Sequence, residues 1–486
     1  MIYDILVVGG GINGCAIARD AAGRGLSVRL AERDDLASGT SSASTKLIHG
    51  GLRYLEQYAF RLVQEALAER ELLLAEAPHI VWPLKFVLPY EKGLRPVWLL
   101  RLGLFIYDHL ARRKRLESSR MVSLRDNALG APLRTSFKVG FTYADCWVDD
   151  ARFVVLNAID ARIHGATISV GTPLVAATRR DDLWAARLAN GEEIVARVLV
   201  NAAGPWVSDI LAQALHVGSR KHVRLVKGSH LVLRRLYAGD HAYILQNPDG
   251  RIVFAIPYEN DFTLVGTTDV SHDGAPRPVV ISDAETDYLL EAINHFLAHP
   301  ATRSDIVWSY AGLRPLYDDG ALDASVVTRD YAFDLDAPTG AAPALSVFGG
   351  KITTARRLAE HALNDLRPFL RGMGPSWTGD AALPGGDIDF DDFLAKLRTD
   401  RPFLGPALSL RLARAYGSRV DAILGSAQSM AELGQDFGCG LTEAEIDYLT
   451  REEWARSADD ILWRRSKLGL HMPATAQSAL RVRLGS

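Results

Sequence analysis

The sequence predicts an α/β protein: a Rossmann-like dinucleotide-binding domain, an inserted mixed-sheet domain and a C-terminal all-helical domain. Three observations carry that prediction. The opening 32 residues read as strand, glycine turn, helix, strand and terminal acid. Two later apolar strands, at 198–204 and 345–354, each run into glycines and return backbone to a loop. Beyond Leu383-Pro384-Gly385-Gly386 the pattern changes to apolar residues at three and four spacing with few β-branched runs.

In the opening unit, the apolar run 3–8 predicts a buried strand that enters Gly9-Gly10-Gly11-Ile12-Asn13-Gly14, a G-x-G-x-x-G match. Gly9 permits the tight turn, Gly11 lets backbone approach a pyrophosphate, and Gly14 lets the following helix pack close to the strand. The small-residue helix at 15–22 offers N–H groups and a positive dipole end to phosphates. Glu32 stands 18 residues beyond Gly14, where a carboxylate accepts hydrogen bonds from an adenosine ribose. These residues suit NAD and FAD equally.

The hydroxyl-rich loop Ser38-Gly39-Thr40-Ser41-Ser42-Ala43-Ser44-Thr45 leads into Lys46-Leu47-Ile48-His49-Gly50-Gly51-Leu52-Arg53-Tyr54. A helix is predicted over about 60–76, after which Pro78, Pro83 and Pro89 bracket short strand-like pieces. Strand patterns return at 166–200, where the run 197–206 is a buried strand entering a tight turn, and continue from about 223 to 270. A helix follows near 282–298, and the strand at 345–348 ends in Gly349-Gly350-Lys351-Ile352-Thr353-Thr354 before a helix of about fifteen residues. The predicted dinucleotide-binding domain is therefore discontinuous: 1–76 with 150–208 and 310–370. The inserted substrate-binding domain takes 77–149 with 209–309, and the helical domain takes 385–486. The early departure from the first fold and the two returns favour a flavoprotein over an NAD dehydrogenase.

A net charge of −3 over 486 residues gives no global attraction to nucleic acid, so any basic function is local. Cys15, Cys146 and Cys439 lack C-x-x-C spacing, which argues against a disulfide framework and a metal site and fits a reducing compartment. No apolar run reaches the ~18 residues of a membrane span, and Met1 is followed almost at once by the first strand. The expectation is a cytosolic protein. Residues 92–115 stand out: seven basic residues (Lys92, Arg95, Arg101, Arg112, Arg113, Lys114, Arg115) and one acid, Asp108, are interleaved with Trp98, Leu99, Leu102, Phe105 and other apolar side chains. That is the pattern of a membrane-surface helix, and also of a core-packing helix with a basic end.

The longer motifs are Cys146-Trp147-Val148-Asp149-Asp150-Ala151-Arg152, Asn201-Ala202-Ala203-Gly204-Pro205-Trp206-Val207, Lys227-Gly228-Ser229-His230 and Gly266-Thr267-Thr268-Asp269. Gly312-Leu313-Arg314-Pro315, Thr328-Arg329-Asp330-Tyr331 and Phe348-Gly349-Gly350-Lys351-Ile352-Thr353-Thr354 complete the set. Together with the glycine turn and the 41–55 segment, the chain resembles the FAD-dependent glycerol-3-phosphate dehydrogenases, within the D-amino-acid-oxidase-like flavoproteins, over essentially its whole length.

The resemblance implies that FAD is held by Gly9, Gly11, Ile12, Asn13, Gly14, Glu32 and Arg33, and by Thr40, Ser41, Ser42, Lys46, Leu47, His49, Gly50 and Gly51. It adds Ala203, Gly204, Trp206, Thr268, Gly312, Arg314, Gly350, Lys351, Ile352 and Thr353. It implies hydride transfer from sn-glycerol 3-phosphate to FAD, giving dihydroxyacetone phosphate, with a base taking the hydroxyl proton. Arg53, Arg314, Arg329 and Lys351 are the expected cations for the substrate phosphate, Tyr54 lines the pocket, and His230 is favoured as the base over His49, which precedes a double glycine and suits a structural place against the cofactor. Arg314 and Lys351 also fall in the catalytic set, with Lys351 placed to stabilise charge on the reduced flavin. Electrons would pass to ubiquinone or menaquinone, so residues 92–115 would meet an anionic membrane surface and the protein would sit peripherally on the inner face of the cell membrane. An oxidase that passes electrons to oxygen and yields hydrogen peroxide stays open as the alternative, as does a non-catalytic flavin-binding membrane scaffold. No metal and no nucleic acid enter the reading, and the sequence, which does not set the oligomeric state, admits a homodimer.

Overall fold

The apolar opening run forms the strand Ile2–Val8, whose last four residues are fully covered by neighbours on both sides. The computed structural model describes residues 1–55, 60–91, 96–318 and 330–485, the side chains of Arg53 and Tyr54 excepted. Ile2–Val8 pairs in parallel with Val28–Ala31 and Glu193–Asn201, and the latter pairs in parallel with Ala344–Gly349. These strands are the centre of an eight-stranded sheet whose carboxyl ends bring Gly9, Ala202 and Gly349 to one edge. Open parallel sheets bind ligands at that edge. Helix α1 (Ile12–Gly23) is built from small residues, so it packs closely between the sheet, α4 (Asp150–Ile163) and the helix Ala355–Leu366. Residues 150–161 of α4 are buried all round, which places it at the centre of this layer.

The second sheet has ten strands and is mixed, because Ala242–Gln246 runs parallel to Val81–Pro89 while its other neighbours are antiparallel. One face is covered by the helix Asp283–Asn294, which starts at a Ser282/Glu285 capping box. The other face is partly covered by α2 (Phe60–Glu76) and α3 (Val97–His109). Two strands depart from the sequence boundaries. Leu47–Ile48 and Ile306–Tyr317 pair in this second sheet, not in the dinucleotide-binding one. The sheet needs a partner for the whole edge of Val223–Arg234, and Ile306–Tyr317 supplies it in antiparallel register over nearly its full length.

Residues 390–484 fold into short helices around their own apolar core. The helix after Thr354 is shorter than its pattern predicts, because Pro368 ends it and a tight 3₁₀ turn, Arg367–Phe369, follows. Among the described residues no helix is long and apolar enough to cross a membrane.

Candidate active site

One cavity of about 440 Å³ runs from the glycine turn, along the carboxyl edge of the first sheet, to the face of the second. At its start the glycines are there for steric reasons. Gly9 has φ +111°, and a Cβ on Gly14 would stand 1.9 Å from the Gly9 carbonyl oxygen. The α1 N-terminus opens into the cavity with no side-chain cap on Gly11. The Ile12 N–H donates to Ser41 Oγ at 3.0 Å, and the Asn13 side chain donates to the Gly349 carbonyl at 3.2 Å. Asn13 Oδ1 lies buried without a partner.

Glu32 lies on the cavity wall and accepts from the Gly10 N–H at 2.5 Å and the Asp34 N–H at 2.8 Å. Burial pushes its carboxyl above the usual carboxylate value, against the pull of these two N–H donors. Arg33 lies 4.0 Å over the Trp206 ring, whose indole N–H donates to the Pro276 carbonyl at 2.9 Å. Thr40 and Ser41 line the wall, and Thr40 Oγ1 is fixed by donation to the Leu313 carbonyl at 2.5 Å. Leu47, His49, Gly51, Ala203, Gly204, Gly350, Ile352 and Thr353 also line the cavity.

At the far end, between the 349–353 turn of the first sheet and the second sheet, the wall carries His49, Arg314 and Lys351. Arg314 is ion-paired to Asp269 and donates to Thr267 Oγ1 at 2.8 Å and the Thr268 carbonyl at 3.3 Å. Burial, assisted by the Lys351 and Arg70 cations and opposed by Asp145, holds the His49 imidazole below its ordinary value. The adjoining turn is held by Tyr107 on α3, which accepts from the Gly50 N–H at 2.9 Å and donates to Asp145, 2.8 Å away. Arg70 donates to the same carboxylate at 2.5 Å.

Several expected residues stand behind the wall. His230 is buried, stacked at 4.7 Å on Tyr310, with Nε2 3.0 Å from Thr45 Oγ1, and Thr45 is the residue on the wall. Burial, then the Arg314 and Lys46 cations, press this imidazole well below its ordinary value. Lys46 is buried and donates to Asp150 at 2.8 Å and to the Ser42 carbonyl at 3.2 Å, shaping the loop from inside. Thr268 Oγ1 accepts from the Ser229 N–H and donates to Glu285. Gly312 lets its strand approach the loop, since a Cβ there would come within 2.6 Å of Ala43 Cβ. Gly14, Ser42 and Gly50 are also off the wall. Arg329 and the side chains of Arg53 and Tyr54 lie outside the described residues.

The sequence reading missed Thr45, Phe86, Tyr143, Asp145, Thr267 and Asp269, all on the wall. Thr45, Thr267 and Asp269 lie inside quoted motifs, so adjacency was their only signal. Phe86, Tyr143 and Asp145 lie on strands of the second sheet that no motif marks.

Residues 4–356 match the family model described as FAD dependent oxidoreductase. The chain belongs to the FAD-dependent oxidoreductase family. In this FAD-dependent oxidoreductase, residues 376–483 further match the C-terminal domain of alpha-glycerophosphate oxidase. A glycerol-3-phosphate dehydrogenase of Pseudomonas aeruginosa is 52% identical, over 100% of this chain and 94% of its own length. The aerobic glycerol-3-phosphate dehydrogenase of Escherichia coli K12 is 50% identical over 98% of this chain and 96% of its own. A D-erythritol 1-phosphate dehydrogenase of Brucella abortus is 49% identical over 98% and 96%. Among solved structures, a glycerol-3-phosphate dehydrogenase from Bacillus halodurans complexed with FAD superposes with a TM-score of 0.76 at 26% identity, covering 100% of this chain and 94% of that one.

The cavity fits FAD. Its glycine turn admits no Cβ at Gly14, the uncapped α1 N-terminus faces inward, and the buried orphan Asn13 Oδ1 lies beside it. The turn and α1 would hold the pyrophosphate and Glu32 the ribose, while the 349–353 turn and the second sheet bound the far end.

Proposed function

We propose that this enzyme oxidises sn-glycerol 3-phosphate to dihydroxyacetone phosphate, using bound FAD as hydride acceptor and passing electrons to a membrane quinone. The observation that carries the reading is the meeting of Arg314, Lys351 and His49 on the wall of the same cavity that begins at the glycine turn. FAD, when bound, supplies the hydride-accepting chemistry. Arg314 and Lys351 supply the charge a phosphate dianion needs, and Asp269 and Thr267 fix the guanidinium fork in one orientation. Arg53 and Arg329, outside the described residues or side chains, complete the cation set in this reading.

A base must reach the substrate hydroxyl directly or through one intervening group. His49 meets the first condition, since it lines the cavity and burial favours its neutral form. His230 meets the second, through the Thr45 hydroxyl. We assign the proton transfer to His49 and give His230 the role of orienting Thr45.

Support for the membrane comes from α3. Its outer face exposes Trp98, Leu99, Leu102 and Phe105, and Arg101, Arg112, Lys114 and Arg115 are exposed around it. Scattered apolar residues need no explanation, but four on one helix face with a basic rim fit an anionic bilayer surface. Steady-state assays with sn-glycerol 3-phosphate and with D-erythritol 1-phosphate test the reading, run anaerobically with a quinone analogue and aerobically with peroxide detection. Turnover of the first substrate with quinone is expected. Turnover only of the second, or only with oxygen, would replace the substrate or the acceptor.

A further inference from the structure

The phosphate-binding turn is braced from behind by a loop that the C-terminal domain grips. Asp35 is buried, next to the cavity-lining Asp34. Arg465 grips its carboxylate with both terminal nitrogens, Nη1 and Nη2 each donating at 2.8 Å, and Arg464 Nε donates to it at 2.5 Å. Both arginines end the π-helical turn Asp460–Arg465, within the part of the chain that matches the separate C-terminal family model. Further countercharges lie in that same domain: Asp460 pairs with Arg464, and the Glu453 carboxylate lies 3.8 Å from Arg465 Nε, while Arg465 also donates to the Glu453 backbone carbonyl at 2.7 Å.

From Asp35 the chain reaches the glycine turn in two residues. A Cβ on Gly10 would come within 2.8 Å of the Leu36 methyl, and the Ala37 N–H donates to the Gly10 carbonyl at 3.1 Å. Ala37 itself holds a φ of +62°, a conformation an alanine keeps only when its surroundings impose it. Among the described residues none beyond Thr353 lines the cavity, so the described part of the C-terminal domain acts on it only at a distance.

We propose that Arg464 and Arg465 are positioning residues for FAD. They fix Asp35, and through Leu36 and Ala37 they hold the Gly9-Gly10-Gly11 turn in the shape that receives the pyrophosphate. The C-terminal domain is thus part of the cofactor holder, whichever substrate or acceptor the enzyme uses. A two-pronged arginine–carboxylate pair suits this work because its geometry is fixed in two directions, and a buried pair tolerates no loss of one partner.

The test uses the full-length protein and three variants, Arg465→Met, Arg465→Lys and Asp35→Asn. FAD affinity is read by quenching of FAD fluorescence on titration with stripped protein, and thermal midpoints are read with and without FAD. The Met and Asn variants are expected to raise the FAD Kd at least about tenfold, equivalent to about 1.4 kcal/mol. The rise in midpoint given by FAD shrinks in step. Lys, which restores charge without the fork, recovers part of the loss. If Arg465→Met fails to fold, Asp35→Asn, which leaves the core of the C-terminal domain untouched, carries the same comparison. An FAD Kd within about twofold of the parent in the folded variants, with both midpoints falling together, would overturn the proposal and reduce the pair to a fold-stabilising contact.

Discussion

Replacing Tyr107 with Phe removes one oxygen atom that links the exposed helix α3 to the cavity. The Tyr107 hydroxyl is buried, accepts from the Gly50 N–H at 2.9 Å and stands 2.8 and 2.9 Å from the two Asp145 oxygens. In the variant the Gly50 N–H is left buried without its acceptor, at a cost of about 1–3 kcal/mol. Asp145 loses one charge-assisted bond but keeps Arg70, so no uncompensated charge is created. The sum is about 3 kcal/mol. With an unfolding entropy of about 1 kcal/mol/K for a chain of 486 residues, the thermal midpoint should fall by about 3 °C. The catalytic effect is a separate consequence of the same lost bond. Gly50 follows His49 on the cavity wall, and displacement of a reacting group by a fraction of an ångström costs about tenfold in kcat. Calorimetry and steady-state kinetics on FAD-loaded protein measure both. A variant with the parent midpoint and kcat would refute the claim that this hydroxyl fixes the His49 turn.

Four further outcomes follow. Arg314→Met should lower kcat/KM by at least about a hundredfold while FAD stays bound, read by kinetics beside the flavin spectrum; surviving phosphate-dependent turnover refutes its role. Burial keeps the His49 imidazole below its ordinary value, so the base is in its neutral, active form across neutral pH. The acid limb of kcat/KM should therefore lie below about pH 6.5, and a limb above that value excludes His49. Burial pushes the Glu76 carboxyl up to about 8, so its protonated form favours the folded state and that benefit fades as pH rises through 8. Between pH 7 and pH 9 the parent should lose about 1 kcal/mol more than Glu76→Gln, and equal losses contradict the assignment. Finally, replacing Trp98 and Phe105 with Ser should release the protein from sedimenting anionic liposomes without lowering its thermal midpoint, because both side chains are exposed.

Parts of the site that depend on local sequence were legible in it. The glycine turn, α1 and Glu32 lie within one strand–helix–strand unit, and each glycine answers a steric demand made by residues close in the chain or by the sheet edge. Gly349-Gly350-Lys351 was legible for the same reason: a buried strand must end where its glycines permit. What could not be read was pairing at a distance. Nothing near Tyr107 announces that it meets Gly50 and Asp145, 57 and 38 residues away. His230 does share a strand face with Val232, which packs in the apolar layer behind the cavity, yet Thr45 comes between it and the cavity. The swap of strand Ile306–Tyr317 to the second sheet was hidden because its apolar pattern suits either sheet.

The most direct test of the account is an anaerobic titration of FAD-loaded protein with sn-glycerol 3-phosphate, followed in the visible flavin bands. Bleaching should end at about one equivalent, with an equal amount of dihydroxyacetone phosphate formed, because one hydride reduces one flavin. Unchanged flavin absorbance at saturating sn-glycerol 3-phosphate would contradict it.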